Sequence, residues 1–409
     1  MSLITDTHSR NGRLILLLII LNLPYFLVQG LHLIVYRTTH QVVGGNFASL
    51  DYFFNLIEVA IVIYGFLFYR KTINAINLYP ILAIVLVKDL LLLLVGNDTP
   101  FTWNSWEMYL SPLLSMGVIS VIGRRRNYLD YEFFIDGLIL FNFLYQILFL
   151  LTGRVGDDGR VTVMNQGTGS VGMMAAYYII YILLTRPKNR SAVILIIISL
   201  ISIVLSGSRF SLLILALTVL LNFSFIFKSL NKNIRCISII ALLLIVGFIT
   251  WSFSSDTFQQ YAIIARMSGM FNSGDILSYI GEDQSFQERL ESIEVGFQIL
   301  KDNPVGISNS FIDIQTQSVK RGFYAFPHST FLTFYLLWGP VFLFCILWLI
   351  KKCMLSYRRN AGFFRFFLVI IVCFTIYGGI ETAPKVYVFL FCIFSSMNMR
   401  LMCVSNKRR

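Results

Sequence analysis

Apolar runs, each close to the roughly 20 residues that an α-helix needs to cross the hydrocarbon core of a bilayer, recur from Leu14 to Cys403. A backbone placed in lipid must satisfy its own hydrogen bonds, so each run is expected to be a helix. The runs place spans near Leu14–Tyr36, Leu50–Tyr69, Ala75–Val95, Ser105–Gly123, Glu132–Thr152 and Gly167–Thr185. The second half adds Ser191–Leu205, Phe210–Phe227, Ile234–Phe253, His328–Ile350, Gly362–Ile380 and Val386–Cys403. The sequence therefore predicts an all-α polytopic integral membrane protein of about 12 transmembrane helices. Charged residues make up only 13% of the 409, where a soluble chain needs roughly 25%. The first run is too long for a secretory signal and has no small-residue cleavage site, so it is read as a retained span.

Charge then orients the spans. The net charge of +12 is spread in short basic groups between apolar runs, which speaks for topology and against nucleic acid as a partner. With the N-terminus cytoplasmic, every inner segment is basic: Arg10 and Arg13, Arg70 and Lys71, Arg124 to Arg126, Arg186 to Arg190, Lys228 to Arg235, Lys351 to Arg365, and Arg400 to Arg409. The short outer loops hold only Arg37, Arg154, Arg160, Arg209 and Lys385. Both termini are thus expected in the cytoplasm, with anionic membrane lipids against the inner basic groups. The chain divides into helices 1–9 over residues 1–253, one large outer loop over 254–327, and helices 10–12 with a cytoplasmic tail over 328–409. Its six cysteines, Cys236, Cys345, Cys353, Cys373, Cys392 and Cys403, lie in or beside spans, and imply neither a disulfide framework nor a metal site.

The outer loop is the one long polar interval, so aqueous chemistry is expected there. Within it, SFQERLESIEVGFQILKDNPVGIS carries a capping-box pair, Ser285 and Glu288, and an Asn303-Pro304 stop. At helical spacing Phe286, Leu290, Ile293, Phe297 and Leu300 share a face, with Arg289 at its edge. Such a helix can lie in the interface or cover a cavity, with Arg289 at headgroup depth. The interval closes at RGFYAFPHSTFL, which puts His328 at a span entry; an imidazole there can be an interfacial group or take a proton from an attacking hydroxyl.

Other polar positions stand out. Ser206-Gly207-Ser208-Arg209 breaks an apolar run with a very short turn, so the next helix offers its N-terminus and an arginine to an anion such as phosphate. A plain turn with a headgroup arginine explains the same residues. Glu58 in the second span, with Lys88 and Asp89 in the third, would be costly unpaired, and a Glu58–Lys88 pair is expected; the functional alternative is a proton or ion path. Arg154, Arg160, Arg266 and Arg321 are outer-face cations suited to a further anionic ligand or to plain solvation.

The order of these features, over roughly Ser206 to Ile350, resembles the O-antigen ligase and polymerase superfamily of bacterial envelope glycosyltransferases. The family pattern is a Ser-Arg at a span start, a large periplasmic loop whose helix carries an Arg before an Asn-Pro-x-x-Gly turn, and a histidine motif opening the next span. Here these are SGSR ending at Arg209, Arg289 followed by DNPVGIS, and HSTFLTFYLLWGP from His328. Ser329 stands where the family often has Asn, and Gly306 comes one residue early. The resemblance implies a GT-C-like inner-membrane enzyme acting on undecaprenyl-pyrophosphate-linked sugar repeat units, with a chain-length regulator protein as a further partner. It implies catalytic roles for Arg209, Arg289 and His328, and substrate contacts for Ser206, Gly207, Ser208, Arg266 and Arg321. Two arginines can neutralise a leaving pyrophosphate without a metal or other cofactor. An O-antigen polymerase is expected, with ligase as the alternative in the class. A flippase also has about twelve spans, but the large outer loop and the lack of internal repeats count against it.

Overall fold

A computed structural model describes residues 2–39, 56–65, 67, 103–123, 127–151, 168–186, 190–222, 284–307, 311–323, 329–358, 360–376 and 384–406. Among these, all regular structure is helical. In chain order the helices are α1 (Ser2–Thr39), α2 (Leu56–Gly65), α3 (Trp103–Ile122), α4 (Tyr128–Leu151), α5 (Thr168–Thr185), α6 (Arg190–Ser206) and α7 (Arg209–Leu221). The long polar interval 254–327 holds α8 (Gln284–Asp302) and α9 (Phe311–Lys320), and after it come α10 (Thr330–Trp338), α11 (Pro340–Tyr357), α12 (Ala361–Ile376) and α13 (Pro384–Asn406). The expected third and ninth spans, Ala75–Val95 and Ile234–Phe253, lie outside the described residues.

At 24 residues, α4 is about 36 Å long, more than the ~30 Å hydrocarbon core of a bilayer. Only α4 and α13 among the described helices pass the test of length and apolarity for a crossing; α6, α7 and α12 are shorter apolar helices. Burial follows a pattern that suits lipid rather than water. Large apolar side chains point outward, as with Leu16, Leu23 and Leu27 on α1 and Ile194, Ile197, Ile201 and Val204 on α6. Asn22, Asn142, Gln146, Ser199 and Ser202 are buried between helices. Gln146 of α4 donates across to the Ser202 carbonyl of α6 at 3.2 Å, the kind of polar bond that holds helices together where burying apolar surface gains little.

The last helix is central to the fold. α13 packs on α3, α4 and α5, and Val386, Val388, Phe389, Cys392, Ile393 and Met397 are buried along it. Being apolar nearly all round, it suits an interior position. α12 touches α5, α7, α10 and α11, so it links the helices that precede the outer interval to those that follow it.

One expectation is corrected here. The run His328–Ile350 is not one span: it breaks at Gly339-Pro340 into α10 and α11. Proline has no N–H to continue the ladder, and Gly339 takes φ 61, ψ −151, a backbone that no helix uses. On α8, Leu290 and Phe297 are exposed, while Ser292, Val295 and Ile299 face inward.

The expected partner of Glu58, Lys88, lies outside the described residues, as does Asp89. A cation that acts on Glu58 is Lys385, buried in the first turn of α13. Its Nζ donates to Asn22 Oδ1 at 3.1 Å and stands 5.7 Å from the Tyr145 ring centre. Glu58→Ala should therefore strand a buried ammonium and cost about 3–5 kcal/mol. The expected result is a marked fall in protein level on immunoblots of membranes, and recovery of most of it in Glu58→Leu/Lys385→Met. Wild-type levels in Glu58→Ala would show that the pair carries no weight.

Candidate active site

The turn between α6 and α7 is built from serine hydrogen bonds and one close approach. Ser206, the last residue of α6, is buried and donates its hydroxyl to the Ile203 carbonyl at 2.8 Å. Gly207 follows at φ 60, and Ser208 caps α7: its Oγ accepts from the Ser211 N–H at 3.3 Å and lies 2.7 Å from Ser211 Oγ. The whole turn sits down on Gly172 of α5. A Cβ at Gly172 would lie 2.5 Å from Ser211 Oγ, 2.7 Å from Ser206 Oγ and 2.8 Å from Ser208 Cβ. Ser206 and Ser208 thus hold the turn, and Arg209 is presented as the first residue of α7. The Ser208 cap takes one of the N–H groups that the sequence left open for an anion.

The second part is α8 and the turn that ends it. Val295 and Ile299 share a core with Ile314, Phe323, Leu332, Phe334, Leu336, Leu337 and Phe342, which seats α8 on α9 and α10. Arg289 is half-buried and stands, at helical spacing, on the docking face with Ser292, Gly296 and Ile299. After Asp302 the chain turns through Asn303-Pro304-Val305-Gly306, and the Gly306 N–H donates to the Asn303 carbonyl at 3.0 Å. The Ile307 N–H then donates to the Leu336 carbonyl of α10 at 2.7 Å, and the Tyr335 hydroxyl to the Pro304 carbonyl at 3.0 Å.

The third part is the start of α10. Ser329 is its N-cap, with Oγ accepting from the Leu332 N–H at 3.3 Å, so residue 328 lies one step outside the helix. His328 itself, like Arg266, is outside the described residues. Phe331 packs on Phe374 of α12 at 6.2 Å between ring centres, and Phe334 on Tyr387 of α13 at 6.3 Å, which ties α10 into the bundle. Arg321 holds Asp302 at 2.5 Å and the Gln317 carbonyl and side-chain oxygens at 2.9 Å each, pinning the end of α9 to the end of α8.

One packed unit, α7–α12–α10–α8, therefore carries the helix that begins at Arg209, the helix that begins just after His328, and the helix that bears Arg289. The sequence pointed to the motif-bearing residues but not to Gly172, Tyr335 or Gly339, which shape the joints between them. The signal for Gly339 was present, since a Gly-Pro inside an apparent span marks a break.

A helical bundle with apolar side chains turned outward, and a polar segment seated on the entry of one of its helices, suits a polytopic membrane protein. Residues 194–347 match the family described as O-antigen ligase. The matched region reaches from α6 into α11 and takes in all three parts above; members of that family are glycosyl-transferring enzymes. No curated protein matches the chain.

Proposed function

We propose that this protein is an O-antigen polymerase that joins undecaprenyl-pyrophosphate-linked repeat units on the periplasmic face of the inner membrane, with both termini in the cytoplasm. The observation that carries the reading is the seating of α8 on α10, which brings the Arg289 face of the loop to the helix that begins beside His328. In the reaction an acceptor hydroxyl attacks the anomeric carbon of the donor sugar while the bond to the pyrophosphate oxygen breaks. Attack opposite the leaving group inverts the centre. Arg209 and Arg289 neutralise the growing charge on the pyrophosphate, which lowers the barrier only if they are held in place beforehand. His328 takes the proton from the acceptor hydroxyl.

A second reading, transfer of finished polymer to lipid A-core, is favoured by the description of the matched family. Purified protein supplied with lipid-linked repeat units alone separates the two. A polymerase yields a ladder of longer lipid-linked chains, and the same protein given lipid A-core as well yields no conjugate. Absence of a ladder, with conjugate formed only when lipid A-core and preformed polymer are present, would assign the ligase.

A further inference from the structure

We infer that the Asn303–Gly306 turn and the Gly339-Pro340 break form a single backbone joint that fixes where α8, and with it Arg289, stands over the start of α10. The inference rests on the reading of Arg289 as a group that neutralises charge growing on the leaving pyrophosphate, but the joint itself is argued from geometry. Within α10 the Gly339 N–H donates to the Tyr335 carbonyl at 2.7 Å, the last turn of a regular ladder. The next donor would be position 340, and proline has none, so the Leu336 carbonyl is left without a partner in its own helix. The Ile307 N–H fills that vacancy at 2.7 Å. A carbonyl orphaned by the proline is thus satisfied by the outer loop.

Two glycines make the approach possible. A Cβ at Gly339 would overlap the Val305 carbonyl oxygen, and one at Gly306, where φ is +93, would lie 2.9 Å from the Leu336 oxygen. The Tyr335 hydroxyl adds a bond to Pro304 at 3.0 Å. Apolar side chains such as Val295 and Ile299 favour docking of α8 but tolerate small slides along α10. A directional backbone bond does not, because hydrogen bonds weaken steeply with misalignment. Gly339 and Tyr335 are therefore positioning residues, acting through Arg289 without touching substrate.

The test combines hydrogen exchange on the purified full chain with polymer synthesis at varied donor concentration. Gly339→Ala should speed exchange across residues 303–307 and α8 by tenfold or more (about the loss of one well-made bond and its packing), leave α4 and α13 unchanged, and lower turnover at saturating donor more than tenfold. Donor affinity should move by less than about twofold, since the arginine is misplaced rather than removed. Tyr335→Phe, which removes only a hydroxyl, should change both readouts in the same direction by about two- to fivefold. If Gly339→Ala also loosens α4 and α13, Tyr335→Phe decides alone. Unchanged exchange at 303–307 in the deciding variant overturns the joint, and faster exchange with full turnover overturns its positioning role. Arg289→Ala, run alongside, keeps the two readings apart. Full polymer from that variant would fell the site assignment, and the exchange data would still decide whether the joint exists.

Discussion

Arg289→Ala is expected to abolish visible long-chain polysaccharide on gels, with membrane levels of the protein unchanged. The protein should stay folded because α8 is docked by Val295, Ile299 and the Asn303–Gly306 turn, and Ser292 bonds to the Arg289 backbone carbonyl at 2.8 Å, which the substitution leaves in place. The activity should fall because a preorganised cation facing developing charge in a low-dielectric site is worth about a hundred- to a thousandfold in rate. Arg209→Ala should behave the same way, its helix start being held by the Ser208 cap and the seat on Gly172. Arg→Lys at either position should restore only part of the activity, since lysine keeps the charge but not the planar bidentate fork. His328→Ala should be equally inactive while purified protein still binds lipid-linked donor. Normal polymer from either arginine variant at normal protein level sinks the pyrophosphate clamp, and loss of donor binding in His328→Ala removes that residue from the acceptor side.

The sequence showed where the helices lie far better than how they meet. Hydropathy found α4, α5, α6 and α13 to within a few residues, because each needs only its own length and apolar content to form. It missed the break in α10–α11, where one Gly-Pro outweighs the apolar character around it. For α8 it grouped Leu290 and Phe297 on one face but left open which side docks; the side with Ser292, Val295 and Ile299 faces inward, and Leu290 and Phe297 stay exposed. Charged pairs were the least legible. Lys385, which acts on Glu58, comes from the far end of the chain, and only tertiary packing brings it beside Asn22 of α1 and Glu58 of α2. The family's departure at position 329 becomes intelligible in the structure. The residue there is a helix N-cap, a role that Ser and Asn fill about equally well.

Asp136→Ala is expected to remove most of the protein from the membrane without lowering the activity of each molecule that remains. Asp136 and Glu132 lie near the start of α4, facing Arg186 at the end of α5 and Arg400 in the last turns of α13. Arg186 grips Asp136 with both terminal nitrogens, at 2.7 and 2.6 Å, and the Tyr178 hydroxyl donates to the same carboxylate at 2.6 Å. Arg400 binds Glu132 through Nε at 2.6 Å, caps the Thr185 carbonyl at 3.1 Å, and lies 4.5 Å from the Tyr128 ring centre. Two charges of each sign thus compensate one another, and three helices from distant parts of the chain are tied at one end of the bundle. Removing Asp136 leaves Arg186, among the described residues, only Glu132 at 3.9 Å as an ion-pair partner. Breaking one partner out of a buried pair costs about 3–5 kcal/mol, a large share of the roughly 5–15 kcal/mol that stabilises a typical domain. Asp136→Asn, which keeps an accepting oxygen but not the charge, should fall between Asp136→Ala and wild type. Asp136→Leu/Arg186→Met should recover much of the loss, because no uncompensated charge remains. Arg358→Ala, at an exposed position, is the control and should change little. Immunoblots of membranes measure the level, and polymer per unit of protein measures the activity. Normal abundance in Asp136→Ala, or no recovery in the double variant, would show that this end of the bundle is held by something other than the ion pairs.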